Sequence, residues 1–449
     1  MIAKPAHRLT LAAMSLGYGV VQLDVTIVNT AINSIGRDLG GGIAELQWIV
    51  STYTIAFAAL ILTAGALGDR IGAKRVFVAG FAIFTGASLT CALAPGIALL
   101  IAGRALQGVG AALLVPNSLA LLNHAYPDAA ERGRAVGIWA AGASLALTVG
   151  PLAGGALVAL HGWRSIFLVN LPIGLAGLWL TWRYATETTV SPARELDLPG
   201  QGLAIGALGC LAAAMITAGV VGWGSPWIVA GMVVAAILTV LFVLQERRTP
   251  QPMLPLALFR QRLFSLMSLC GLLVNVAFYG LIFVLSLYFQ QINGMTPVAT
   301  GLAFMPMLAA VLPLNLLAPR ASERFGAPAV IALGAGIAAV ACIGMLGISR
   351  GSRYWGLGAQ LLTMGAGLGL LVPPLTSTLL GSVPKERSGL AAAVLNSARQ
   401  SGSVLGVALF GSLVAHARSF IPGLHAALGI SAVLLLATAV AALGGRRGT

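Results

Sequence analysis

Apolar residues run along this chain in long blocks separated by short polar connections. Fourteen blocks are long enough to cross a bilayer as helices, near 9–32, 46–68, 76–94, 97–121, 135–159, 165–183, 201–222, 226–245, 264–289, 298–318, 328–348, 354–378, 389–415 and 424–443. A helix needs only about 20 apolar residues to do so. Residues 198–245 and 263–319 contain no Asp, Glu, Lys or Arg at all, and each stretch is long enough for two crossings. The pattern predicts an all-α integral membrane protein. It excludes a membrane β-barrel, whose strands alternate apolar and polar over about 10 residues. The longest inner connections, 184–200 and 246–263, bracket spans seven and eight. The expected organisation is therefore a six-helix bundle over 1–187, an inserted two-helix hairpin with its flanking loops over 188–252, and a second six-helix bundle over 253–449.

A weak internal repeat supports that division. Asp69-Arg70-Ile71-Gly72 recurs as Glu323-Arg324-Phe325-Gly326, offset by 254. Gly108-Val109-Gly110 with Leu113 to Pro116 recurs as Gly365-Ala366-Gly367 with Leu370 to Pro373, offset by 257. Glu131-Arg132 recurs as Glu386-Arg387, offset by 255. These offsets equal eight spans, so a six-helix unit repeats after an inserted pair. Two six-helix halves related by a parallel repeat are a transporter architecture.

Composition narrows the class further. The 449 residues are 58% apolar and only 8% charged, with net charge +14. A soluble domain carries roughly 25% charged residues. The positive excess follows the positive-inside rule rather than nucleic-acid binding. With both termini inside, 19 Lys and Arg fall on the inner side and five outside, namely Arg37, Arg164, Arg350, Arg353 and Arg418. This predicts a multi-pass protein of the cytoplasmic (inner) membrane with both termini cytoplasmic. None of the three lysines, Lys4, Lys74 and Lys385, follows a glycine, so the chain carries no P-loop for ATP. Cys91, Cys210, Cys270 and Cys342 are widely spaced in apolar spans, and no His-Glu-x-x-His occurs. No disulfide, metal, cofactor or enzymatic chemistry is expected. The first apolar run outlasts a signal-peptide core, so no cleavable signal is expected.

Of the twelve carboxylates, Asp24 alone lies inside a span. A charge near the bilayer centre costs on the order of 3 kcal/mol or more and needs a cavity or a partner. Burial favours the protonated carboxyl and a neighbouring cation favours the carboxylate. Opposed influences of this kind suit a group that takes up and releases protons. Asp24 stands eight residues before the outer end of span one, and Arg104 seven residues after the outer start of span four. The two therefore share a depth and are expected to pair. Gln107, one turn on, extends a polar track. Asn29, Asn117, Asn275, Tyr279, Asn396 and Arg399 are further embedded polar positions, and with Gln107 they are the candidates for a substrate cavity. Between spans two and three, Gly65, Asp69, Arg70, Gly72, Lys74 and Arg75 form a compact basic turn expected to latch neighbouring helices. In span five, Gly142, Gly150, Pro151, Gly154 and Gly155 predict a kinked helix with close backbone contacts, at a seam between the two halves.

With these residues assembled, the chain resembles the major facilitator superfamily, and in particular its fourteen-helix drug:proton antiporter branch. Leu23-Asp24-Val25-Thr26-Ile27-Val28-Asn29 is similar to that branch's helix-one signature, and Gly65 to Arg75 to the superfamily loop between helices two and three. Arg104 with Gln107 to Ala112 resembles the helix-four proton-transfer motif. Gly142 with Gly150 to Gly155 resembles the helix-five antiporter motif. Trp163 to Gly174 is also typical of the branch. The resemblance implies proton-coupled export of small organic molecules or drugs by alternating access, with lipid, substrate and protons as partners. The alternative on the same fold is a facilitator or symporter of a specific metabolite. Some cation-exporting relatives carry further embedded acids in the C-terminal half. This chain has none there and embeds Arg399 instead, which turns the expectation toward neutral, zwitterionic or anionic compounds.

Overall fold

A computed structural model describes residues 5–190, 196–349, 351–352, 354–384, 388–415 and 420–444. Lys4, Arg350, Arg353, Lys385, Glu386, Arg387, Arg418 and the C-terminal tail lie outside the described residues, and with them one member of the third repeat match. The described residues form helices and no strands. We number the long ones α1 (Pro5–Leu39), α2 (Ile43–Ile71), α3 (Ala73–Ala92), α4 (Ile97–Ala125) and α5 (Ala129–His161). There follow α6 (Ser165–Tyr184), α7 (Leu198–Val221), α8 (Pro226–Arg248), α9 (Arg262–Ile292), α10 (Pro297–Phe325) and α11 (Ala327–Gly347). The last are α12 (Tyr354–Gly381), α13 (Ser388–Leu413) and α14 (Phe420–Gly444). Thirteen of the helices are long and apolar enough to cross a membrane. The other, α13, is 26 residues long and carries Asn396, Arg399, Gln400 and several serines, which lower its hydropathy.

Several helices outrun their apolar blocks. The connections expected over 69–75 and 319–327 shrink to one residue each, because α2 continues to Ile71 and α10 to Phe325. Hydropathy marks the part of a helix in hydrocarbon, whereas backbone hydrogen bonding carries it on through charged residues into the polar interface. What ends both helices is glycine. Gly72 and Gly326 adopt φ of 106° and 84°, where a Cβ is strained, and each donates its N–H to the residue four back, Gly68 and Ser322, at 2.9 Å.

The chain falls into two compact units, residues 1–207 with 237–254, and residues 208–236 with 255–449. The α7–α8 pair contributes to both. Among the thirteen apolar helices it is also the least buried: 11% of the most apolar stretch of α8 is covered, against 67% of that of α2. Within each unit the sequence repeat becomes a structural one. A side chain at Gly108 would strike the Tyr53 carbonyl of α2, and one at Gly365 the Met307 carbonyl of α10. Gly110 lies against the Phe84 backbone of α3, and Gly367 against Gly334 and Ala338 of α11. The matched glycines of α4 and α12 thus bring corresponding neighbours to backbone contact.

Candidate functional site

The site is built in the first unit from five helices. Asp24 of α1 is fully buried (0% exposed) and so is Arg104 of α4 (1%). The guanidinium Nη1 donates to Asp24 Oδ2. It also donates to Gln107 Oε1 at 2.8 Å, and Nε donates to the Ile49 carbonyl of α2 at 3.1 Å. The Tyr53 ring lies under the guanidinium carbon, 4.3 Å from its centroid, a cation–π contact. The other carboxylate oxygen, Asp24 Oδ1, accepts from Asn170 Nδ2 of α6 at 3.1 Å and from Gln107 Nε2 at 3.3 Å. Ser88 of α3 closes the network, accepting from Gln107 Nε2 at 2.7 Å and from Asn170 Nδ2 at 3.3 Å. Both carboxylate oxygens, and the guanidinium Nη1 and Nε, are met by complementary groups. This is the condition under which a buried ion pair is tolerated.

The depth match between Asp24 and Arg104 therefore resolves into a direct pair. Gln107, proposed both for the track and for a cavity, is fully buried inside this network. The sequence does not single out Asn170, Ser88 or the Ile49 carbonyl as members. Asn170 is visible as an embedded amide, and it starts the main part of α6 just after a break at Val169. Asn170 Oδ1 has no hydrogen-bond partner among the described residues and leaves a spare acceptor beside the carboxylate.

Thr26, two residues beyond Asp24, links this site to α5. Pro151 has no N–H, which strips the Leu147 carbonyl of its helical partner. Thr26 Oγ1 lies 3.2 Å from that carbonyl and can donate to it. Gly150 and Gly154 make room, since a side chain at either would strike Thr26 or Thr30 of α1. A side-chain carbon at Gly142 would stand 3.8 Å from Ser15 of α1. These close contacts tie α5 to α1 inside the first unit.

The turn between α2 and α3 is held from a distance in sequence. Glu187, beyond α6, accepts from the Lys74 and Arg75 amides at 2.8 and 3.2 Å, and Thr188 Oγ1 accepts from the Ala73 amide at 3.0 Å. A carboxylate at a helix N-terminus satisfies free amides and meets the positive end of the dipole. Arg75 is also ion-paired to Glu187, and Lys74 Nζ donates to the Trp182 carbonyl at 3.0 Å. A side-chain carbon at Gly65 would come within 3.6 Å of Pro116, and Gly68 admits the Asn117 amide, whose Nδ2 donates to the Ala64 carbonyl at 3.1 Å. Asp69 and Arg70 are exposed. At the other end of α1, Asp38 accepts from Trp163 Nε1 and Arg164 Nη1, both at 2.8 Å.

The remaining candidates are scattered. Asn29 is buried and donates to the Val25 carbonyl at 3.1 Å. In the second unit Asn275 donates to the Gly271 carbonyl at 2.8 Å, and Arg399 Nη2 to Thr376 Oγ1 at 2.6 Å. Asn275, Tyr279, Asn396 and Arg399 are all half-buried. Gln290, in a π-helical turn closing α9, was not anticipated. It is 2% exposed, and neither its amide oxygen nor its nitrogen has a partner among the described residues.

Residues 14–407 match the family model described as Major Facilitator Superfamily. The chain belongs to the Major Facilitator Superfamily. It is 38% identical to the methylenomycin A resistance protein of Streptomyces coelicolor, over 91% of this chain and 86% of that one. It is 39% identical to the multidrug resistance protein Stp of Mycobacterium tuberculosis, over 91% and 76%. Among solved structures it superposes on a peptide transporter, POT, crystallised with sulfate, at a TM-score of 0.73 and 16% identity, covering 98% and 94% of the two chains. That likeness shows the fold. The chain is a multi-pass membrane protein of the facilitator type, and the relatives named above are drug-resistance proteins.

Proposed function

We propose that this protein exports small organic molecules from the cytoplasm across the cytoplasmic membrane, in exchange for protons, by alternating access. The observation that carries the reading is the Asp24–Arg104 pair. It holds an ionisable carboxylate with no exposed surface, met by donors from two other helices, Arg104 and Gln107 of α4 and Asn170 of α6. Protonating Asp24 removes the charge that Arg104 neutralises and weakens the join between α1, α4 and α6 at one point. A proton reaches a buried group only when the helices part, so proton exchange and conformational change are coupled. Each proton moving inward releases about 2.3 kcal/mol per 100 mV of membrane potential. No ATP, metal or cofactor is required. The charge asymmetry of the loops supports cytoplasmic termini.

Asp24 is matched by Arg104, and the C-terminal half of the sequence embeds Arg399 but no carboxylate. These features favour neutral, zwitterionic or anionic cargo over dications, whose charge would need compensation at low dielectric. A panel of toxic compounds spanning these charge classes, tested on cells with and without the protein, checks the reading. Protection against neutral or anionic members that vanishes in Asp24→Asn supports it. Equal protection by wild type and Asp24→Asn overturns the proton coupling, and protection confined to dications overturns the cargo class.

A further inference from the structure

A second carboxylate site lies where the α7–α8 pair begins and ends. Asp197 immediately precedes α7, and Glu246 sits in the last turn of α8. Both belong to the first unit. They are 7% and 3% exposed, so each is more than nine-tenths buried. One oxygen of each is satisfied. Asp197 Oδ1 accepts from the Gly200 amide at 2.9 Å and from Gln245 Nε2 at 3.2 Å, and Glu246 Oε2 accepts from the Leu254 amide at 2.8 Å. The other oxygens, Asp197 Oδ2 and Glu246 Oε1, have no donor among the described residues. They converge: a side-chain carbon on Gly200 would strike Asp197 Oδ2 and stand 2.9 Å from Glu246 Oε1. Two oxygens that lie 2.4 and 2.9 Å from that one point face each other across no more than the sum of those distances.

Among the described residues, no cation pairs with either carboxylate. Arg247 and Arg248, on the same helix, are exposed. Gln201 of α7 joins the site to α2, donating to the Ala59 carbonyl at 3.0 Å and accepting from Thr63 Oγ1. The charged residues of α2 on that side, Asp69 and Arg70, are exposed near its end. Arg194 and Glu195 lie outside the described residues. The ion pairs among the described residues are Arg75–Glu187, Arg104–Asp24 and Arg164–Asp38, and none includes Asp197 or Glu246. Two buried carboxylates facing each other without a cation cannot both stay ionised, and such a pair titrates as a unit holding one proton between its oxygens.

We propose that Asp197 and Glu246 form a second proton-binding site, independent of Asp24, in which one shared proton clasps the start of α7 to the end of α8. Asp24 balances its charge with an arginine; this pair balances its own with a proton. The clasp is closed while the proton is bound. It opens as pH rises and the two carboxylates repel, freeing the segment that reaches Leu254 and leads into the second unit. The site thereby makes the base of the helix pair sensitive to the pH of the solution it borders.

Infrared difference spectroscopy of the purified full-length protein tests this, by following the carbonyl band of protonated carboxyl groups as pH is raised from mildly acid to alkaline. We expect the Asp24→Asn protein to retain such a band at neutral pH and lose it on alkalinisation. Glu246→Gln and Asp197→Asn, each made in the Asp24→Asn background, should lack it. The thermal melting point of the Asp24→Asn protein should fall over the same pH range, and that of the Glu246→Gln version should fall less. A band that survives both substitutions, or no band at neutral pH in Asp24→Asn, overturns the proposal. To keep the result independent of how those variants fold, the Asp24→Asn protein is also prepared with isotope-labelled glutamate. A band shifted by the label supports Glu246 as a proton carrier, and an unshifted band overturns it.

Discussion

Replacing Arg104 by leucine leaves Asp24 buried with only two amide donors, Asn170 Nδ2 at 3.1 Å and Gln107 Nε2 at 3.3 Å. It also frees the Ile49 carbonyl and removes the cation from the Tyr53 face. Removing one member of a buried ion pair costs about 3–5 kcal/mol, because the other charge remains unpaired. At about 2–4 °C per kcal/mol for a unit of this size, the melting temperature should drop by roughly 6–20 °C. The loss should be relieved at acid pH, where Asp24 takes up a proton and carries no charge. Adding Asp24→Asn to Arg104→Leu removes the orphan charge at all pH values. The double variant should therefore melt above the single Arg104→Leu variant at neutral pH. Its coupling energy should be of the order of 2 kcal/mol or more, well outside the additive range of a few tenths. The assay is thermal unfolding in detergent of the four proteins of the cycle at acid and neutral pH. Additive losses, or a deficit in Arg104→Leu that acidification leaves unchanged, would refute the view that this network is held by charge.

Other joints should respond in proportion to their contacts. Gly68→Ala drives a methyl group into the Asn117 amide and should cost about 1–3 kcal/mol; a second change, Asn117→Ser, should restore much of the melting temperature. Glu187→Ala uncaps α3 and should cost about 0.5–2 kcal/mol, measured by thermal unfolding, with cysteine labelling at residue 75 rising as the turn loosens. Thr26→Val is nearly isosteric but cannot donate to the Leu147 carbonyl that Pro151 leaves open. It should cost about 1 kcal/mol and slow transport, whereas a Pro151→Ala companion, which restores the helical donor, should reduce the stability loss.

The fourteen helices were legible because a bilayer imposes length and apolarity on every crossing. Helix ends were less legible, since α2 and α10 continue through Asp69-Arg70 and Glu323-Arg324 after hydropathy has fallen. Asp24 and Arg104 were legible as partners, because two lone charges at one depth have few alternatives in hydrocarbon. Asn170 and Ser88 were not, since an isolated amide or hydroxyl in a span is as compatible with a backbone hydrogen bond along its own helix as with a site. Glu187 reads as one more charge in an inner loop, and only the fold brings it to the Lys74 and Arg75 amides, more than a hundred residues away. Asp197 and Glu246 were hidden for the same reason. Both count as inner-loop acids by position, and only the fold brings Gly200 and Gln245 to Asp197 and the Leu254 amide to Glu246.

The proposed coupling of proton entry to substrate exit runs through Asp24. Its most direct test uses purified protein in vesicles with an imposed pH gradient and a compound chosen from the growth panel, comparing wild type with Asp24→Asn. Wild type should move the compound against its concentration gradient, opposite to the proton flux. Asp24→Asn should still exchange it down its gradient, because the amide oxygen can still accept from Arg104, but should lose all gradient-driven accumulation. Full pH-driven accumulation by Asp24→Asn would contradict the account.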